Sequence, residues 1–226
     1  MMQKNKKLII VGSGETALIA YEYFQYDSEY EIVAFSVSEK YLQDSSLYDL
    51  PIVALETLEE KYPTTDYEIY VAISSGKLNR SRTAVYNQIK AKGYKCASYI
   101  SSRAFVWRNV EIGENCFIFE NNTLQPFVKV GNNVTLWSGN HIGHNTVIKD
   151  NCFISSHCVI SGFCEIGENS FLGVNSTVEN NVKIARDNFL GARTLIQKDT
   201  PEKAFYQEKQ TELSKVNSYR LFRIKE

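Results

Sequence analysis

Counting forward by six from Ile100 lands on an aliphatic residue every time. The column runs Ile100, Val106, Ile112, Ile118, Leu124, Val130, Leu136 and onward to Leu190 and Ile196, and all seventeen positions are Ile, Leu or Val with no insertion. An isolated unit of six residues cannot bury its apolar face. A fixed short repeat therefore predicts a solenoid, in which each unit is covered by the next. A second column stands four residues after the first. It reads Ala104, Val110, Cys116, Asn122, Val128, Val134, and ends at Asn188 and Thr194, with a small or short side chain throughout. Large aliphatics alternating with small residues suit the narrow interior of a triangular coil. Three strands per coil give about 18 residues per turn, and at the usual inter-strand spacing the stack is roughly 25 Å tall.

The small column absorbs most of the thiols. Cys116, Cys152, Cys158 and Cys164 all lie in it, where free cysteine packs as a compact apolar residue. Cys96, in a strand-like segment, reads the same way. Five cysteines is an odd number, and no C-x-x-C occurs, so a disulfide framework is not expected.

The first 98 residues follow a different rhythm. Leu8–Val11 reads as a buried strand running into a glycine turn, and Ala17, Leu18, Tyr21 and Phe24 fall at helical spacing behind it. "EIVAFSVS" and "DYEIYVAIS" read as further strands, and "YKCASYI" closes the series. "KLNRSRTAVYNQIKAKG" reads as a helix with basic residues in its last turn and Gly93 as its stop. Strands alternating with helices over short connections predict a small parallel sheet with helices on its faces. Three segments result: an α/β Rossmann-like domain over 1–98, a β-helix over 99–199 and a loop with a helix over 200–226. The chain's net charge of −1 gives no basic excess for nucleic acid. The longest apolar run near the start is four residues, too short for a signal peptide or a membrane span. A cytoplasmic protein without membrane insertion is expected.

The hexads fit the pattern [LIV]-G-x-x-[small]-x, with glycine after the aliphatic at Gly113, Gly131, Gly143, Gly167, Gly173 and Gly191. In this the chain resembles the hexapeptide-repeat acyltransferases. With an α/β domain in front, it is similar to the sugar acetyltransferases of the sialic acid O-acetyltransferase and bacillosamine-pathway N-acetyltransferase type. The resemblance implies a left-handed parallel β-helix, an exception to the right-handed rule for crossovers. It also implies a homotrimer with acetyl-CoA as co-substrate in a groove between neighbouring β-helices, and a nucleotide-linked sugar held by the first domain.

All three histidines fall within one stretch, at His141, His144 and His157. His144 is the third residue of its hexad, Ile142-Gly143-His144, where the family keeps its catalytic base. Imidazole can serve as a neutral base at pH 7. The plain alternative is a surface histidine on a coil. Asn145 follows where the family often has an acidic residue, and by resemblance it would orient the imidazole. Phe153 stands where a second family histidine touches CoA. His141 is either a rim residue or part of an acceptor pocket beside Trp137. The γ-type carbonic anhydrases, β-helix trimers that build a three-histidine zinc site between subunits, place their ligands at a different spacing, so by that resemblance no metal is expected.

Gly12-Ser13-Gly14-Glu15-Thr16-Ala17 satisfies G-x-G-x-x-[GA] between a strand and a helix, a loop that cradles a diphosphate at a helix N-terminus. A nicotinamide dinucleotide site would want an acidic residue at the end of the second strand, and Ser36-Val37-Ser38 stands there. A sugar nucleotide is the better fit, with Gly12, Gly14, Glu15, Thr16 and Ser36 around it and Ser74 on a second strand-end loop. By resemblance, Gly173-Val174 and Gly191-Ala192, 18 residues apart, would border the pantetheine arm, and Lys198 would meet a phosphate. Apolar residues of the tail, Leu213, Val216, Tyr219 and Leu221–Phe222, predict a capping helix. The resemblance thus implies an acetyl-CoA-dependent N-acetyltransferase acting on a nucleotide-linked amino sugar, with direct attack and His144 as general base. O-acetylation of a sugar hydroxyl, or a non-catalytic sugar-nucleotide-binding scaffold, are the alternatives.

Overall fold

The computed structural model describes residues 3–225. The chain opens with β1 (Lys6–Val11), α1 (Glu15–Tyr26) and β2 (Tyr30–Val37), followed by a hairpin of β3 (Ser46–Leu47) and β4 (Leu50–Ala54). A short α2 (Leu58–Lys61), β5 (Glu68–Val71) and α3 (Arg80–Ala91) complete the first domain. The sheet order is β3-β4-β2-β1-β5, parallel except for the β3–β4 hairpin. β1 lies next to the middle and is covered on both faces, which is why Leu8 to Val11 are all apolar and buried. The hairpin was not anticipated from sequence. Pro51 interrupts its apolar run, and a proline demotes a strand to a sheet margin. The segment "YKCASYI" is not a full strand of this sheet. Cys96 makes a single bridge to Ile69, and Tyr99–Ile100 already belongs to the β-helix.

From Tyr99 the chain winds as a parallel β-helix of two-residue strands stacked in register every 18 residues. It is left-handed. The three faces carry six, five and seven strands. Face one presents Phe105, Thr123, His141, Val159, Thr177 and Leu195 outward. Face two presents Glu111, Lys129, Val147, Glu165 and Lys183. Face three runs from Tyr99 to Phe205, so Phe205–Tyr206 adds a strand beyond the last hexad. The aliphatic column fills the prism: Ile118, Leu124, Leu136, Ile142, Ile154 and Ile160 are all fully buried. Cys116, Cys152 and Cys158 are fully buried between them.

One device of the corners was legible and passed over. Every sixth residue from Asn115 to Arg193 has positive φ, and asparagine or glycine takes most of these places. Asparagine tolerates the left-handed region better than other residues with a side chain, so the recurrence sets the coil's turns. Asn115, Asn133 and Asn151 also form a side-chain ladder along one corner, with amide-to-amide bonds of 2.9 and 2.8 Å. At its end Asn115 Oδ1 accepts from Val71 N–H at 2.7 Å, tying the ladder to β5.

The first domain lies against face three. Tyr23 and Phe24 of α1 meet Tyr99, Phe117 and Phe119 in an edge-to-face cluster. Among the described residues, no helix is long and apolar enough to cross a membrane. The tail departs from expectation. Its helix α4 (Ser218–Phe222) is short, and Leu213, Leu221 and Phe222 are 96%, 66% and 72% exposed. It does not cap the β-helix, because the last coil is already covered by the segment that forms Phe205–Tyr206.

Candidate functional site

The structure separates the predicted residues into four places. The first is a crevice at the carboxyl ends of β1 and β2, about 600 Å³ in volume, lined by Gly12, Ser13, Ser36, Ser38 and Tyr41 among others. That volume is typical of small-molecule sites. Gly12 is required here: its φ is +128°, and a Cβ would come within 2.6 Å of the Ala72 carbonyl oxygen. Ser36 is fully buried and its hydroxyl has no protein partner, so a donor-acceptor group faces the crevice unsatisfied. Glu56, from the chain beyond β4, is bonded to the crevice-lining Ser38 and does not itself line the crevice. Its oxygens accept from the Ser38 hydroxyl at 2.5 Å and the Glu39 N–H at 2.9 Å. These bonds, the Ser38 one foremost, hold the Glu56 carboxyl below its usual range. Gly14 is the N-cap of α1 and no side chain caps that end, leaving first-turn N–H groups beside Glu15 free for a ligand.

The second place is a cavity of about 110 Å³ between the first domain and face three. Thr16 and Ser74 line this cavity rather than the crevice, together with Ser75, Arg82 and the rings of Phe119 and Trp137. The two spaces adjoin, since Ile73 borders both. Phe153 belongs here too. It stacks on Phe171 at 5.1 Å, and the Arg82 guanidinium lies 5.9 Å from its centroid. Arg82 was missed from sequence, although it shares the buried helical face of Val85 and Ile89 at i, i+3 and i+7.

The third place is the corner between faces one and two, where His144 is exposed. Its Nδ1 stands 3.1 Å from Asn145 Oδ1, and its backbone N–H donates to Gln125 Oε1 at 2.9 Å. The amide oxygen can only accept, so this pairing places the ring proton on Nδ1 and leaves Nε2 with its lone pair. The ring lies over Gly162, whose missing side chain makes room, and meets the Phe163 ring edge-on at 4.9 Å. Asn145 has φ of 60°, so its place is also dictated by the coil. His141 is on the outer side of face one, in register with Thr123 and Val159, and does not line the cavity that holds Trp137. His157 is a corner residue whose ring covers Gly139. The three histidines thus occupy different positions around the prism.

The fourth place is the corner between faces three and one. Gly173 and Gly191 stack there on successive coils, and a Cβ on Gly173 would lie 2.6 Å from the Ala192 nitrogen. Val174 and Ala192 are exposed beside them, and Lys198 is exposed on the last coil. Within one chain, neither this corner nor His144 borders the crevice. No thiol reaches these surfaces among the described residues: all five cysteines are buried, and burial pushes Cys116 and Cys152 up to about 12.

The comparisons with known proteins bear on the fold. The model of the bacterial transferase hexapeptide (six repeats) matches residues 109–144 and 127–162. No curated protein matches by sequence. Among solved structures, the acetyltransferase domain of PglB from Neisseria gonorrhoeae is 23% identical with a TM-score of 0.79, over 89% of this chain and 96% of that one. The same domain in complex with acetyl coenzyme A superposes with a TM-score of 0.78 at 20% identity, over 89% and 95% of the two chains. PerB from Caulobacter crescentus, in complex with CoA and GDP-perosamine, gives 0.76 at 20% identity, over 91% and 95%. Residues 109–162 thus match the hexapeptide-repeat model, and the chain shares the fold of these solved structures along nearly its whole length.

Proposed function

We propose that this chain is an acetyl-CoA-dependent N-acetyltransferase acting on a nucleotide-linked amino sugar. The observation that carries the reading is the exposed His144–Asn145 pair, whose geometry leaves Nε2 as a free acceptor on the edge of a transferase-type β-helix. That similar folds are solved with CoA, acetyl coenzyme A and GDP-perosamine supports the choice of both substrates.

In this reading the nucleotide-linked sugar lies in the strand-end crevice, with its diphosphate at the uncapped N-terminus of α1. The pantetheine arm of acetyl-CoA runs past the stacked Gly173-Val174 and Gly191-Ala192 edge. The sugar amine attacks the thioester carbonyl, and His144 Nε2 takes the proton lost from nitrogen. Collapse of the tetrahedral adduct expels the CoA sulfur, which the imidazolium then protonates. A backbone N–H steadies the oxyanion. Direct attack follows from the chemistry of the surfaces, since every cysteine is packed inside.

A homotrimer brings the parts together. Face two is charged, with the pair Lys129–Glu111 at 3.0 Å, and face three packs the first domain on its early coils while Phe189 and Phe205 stay exposed. Face one presents no Asp, Glu, Lys or Arg and leaves Phe105, Val159 and Leu195 53%, 43% and 55% exposed. Association there would bring His144 of one copy toward the crevice of another. The test is thiol release from acetyl-CoA with UDP-, dTDP- and GDP-linked amino sugars, with His144→Ala beside the parent. Release with one sugar that falls by roughly 10²–10⁴ in the variant is expected for loss of a general base. Release that survives in His144→Ala would refute the role of His144.

A further inference from the structure

Arg82 is a buried cation that no carboxylate faces. It is 2% exposed, and its head makes three bonds, all to neutral oxygens of face three: Thr135 Oγ1 at 3.0 Å, Asn133 O at 3.0 Å and Cys152 O at 3.2 Å. Its Nε has no partner. The ionisable groups that bear on it are Tyr70, Cys116 and Cys152, each pushed upward by burial and so neutral at pH 7. A charge held in the interior costs several kcal/mol unless an opposite charge meets it. Three neutral acceptors offset part of that cost and leave the charge itself uncompensated. The same side chain lines the cavity between the domains, and no Asp or Glu lines it. The missing anion therefore has a space reserved beside the cation.

The surroundings narrow its kind. Five aromatic residues line the wall with three aliphatic ones, and the other polar groups are the hydroxyls of Thr16, Tyr70, Ser74, Ser75 and Thr135, the last already accepting from Arg82. One cation with an apolar wall suits a singly charged planar group rather than a phosphate. At about 110 Å³ the space is smaller than the cavity of about 150 Å³ that accepts benzene, so it holds a carboxylate and its adjoining carbons, not a whole sugar. Its position supplies the remainder of the ligand. Gly12 and Ser13 border the crevice, while Thr16, Ile19 and Ala20, on the next turn, border the cavity. A diphosphate at this helix end places the nucleoside on one side and the sugar on the other.

We propose that the acceptor sugar is acidic, and that Arg82 receives its carboxylate in the cavity between the domains. The assignment rests on the nucleotide-sugar reading above and names the class of sugar. A charge-assisted contact of this kind corresponds to roughly ten- to a hundredfold in affinity.

The test uses matched pairs that differ in the carboxylate, UDP-glucuronate against UDP-glucose and GDP-mannuronate against GDP-mannose, titrated calorimetrically into the full chain. In at least one pair the acidic member is expected to bind tenfold or more tightly. Arg82→Met should abolish that preference, and Arg82→Lys should retain part of it. Equal binding within both pairs would overturn the acidic-sugar assignment and leave the nucleotide-sugar reading intact. Binding of none of the four would overturn both. A preference that persists in a folded Arg82→Met variant would show that the carboxylate is read elsewhere, and would also overturn the assignment.

Discussion

Gly143 precedes His144 on the same corner, and alanine at this position should weaken the β-helix sharply. A Cβ built there lies 2.5 Å from Gly162 N, 2.5 Å from Ser161 C and 2.8 Å from Ser161 O. All three are backbone atoms of the next coil, so no side chain can swing aside. Relief to an ordinary contact needs a shift of about 1 Å between coils that are held at the strand spacing. The first bonds lost would be Gly143 N–H to Ile160 O, now 2.8 Å, and its neighbour His141 N–H to Cys158 O, now 3.0 Å. Two such bonds at about 1 kcal/mol each, with about 1–3 kcal/mol for overpacking, give about 3–5 kcal/mol. For a chain of this size that lowers the thermal midpoint by roughly 6–20 °C. The control is Gly76→Ala, where a Cβ would meet its nearest neighbour, the Ser81 hydroxyl, at 3.7 Å. It should stay within about 0.5 kcal/mol of the parent, the usual range for a tolerated surface change. Thermal unfolding followed by circular dichroism decides the matter. A Gly143→Ala midpoint within 2 °C of the control would refute the argument that coil contact demands glycine.

Three further outcomes follow from the same geometry. Phe163 holds φ of 58°, a conformation costly for a bulky residue, while remaining 55% exposed; Phe163→Asn should raise the thermal midpoint by the equivalent of up to about 1 kcal/mol, and a fall would show that its ring contributes more to packing than the corner costs. Burial raises Cys96, Cys116 and Cys152 to about 12 and Cys158 to about 11 from 9.0, so their contribution to stability is complete below pH 9 and is lost as pH rises toward the folded values; urea midpoints should decline over that window, and a flat profile would contradict it. Gly12→Ala should weaken nucleotide-sugar binding at least tenfold while His144→Ala leaves binding in place, which calorimetry on both variants would check.

The β-helix was legible from sequence because its rule is local and repeated. Each hexad needs a large aliphatic, a small inward residue and a turn, and seventeen successive aliphatics state that rule without a break. The inward place of Cys116, Cys152, Cys158 and Cys164 followed from the same count. The glycine loop after β1 and the exposed position of His144 were also readable, since both depend on near neighbours in the chain. The β3–β4 hairpin was hidden because its apolar run is short and carries a proline at a margin. The tail misled for a related reason. Apolar residues at helical spacing say that a face exists, and do not say that anything covers it.

Long-range placement decided the rest. Nothing in the local sequence shows that Thr16 and Ser74 leave the crevice for a second cavity, or that Phe153 lies beneath the first domain. Arg82 looks like an ordinary charge on a helix until α3 is laid against face three, where it meets Asn133, Thr135 and Cys152. A short repeat encodes its own contacts, because each unit meets a copy of itself 18 residues away. The joint between two unlike domains has no such period, and only the folded chain reveals which side chains it buries and which charges it leaves unanswered.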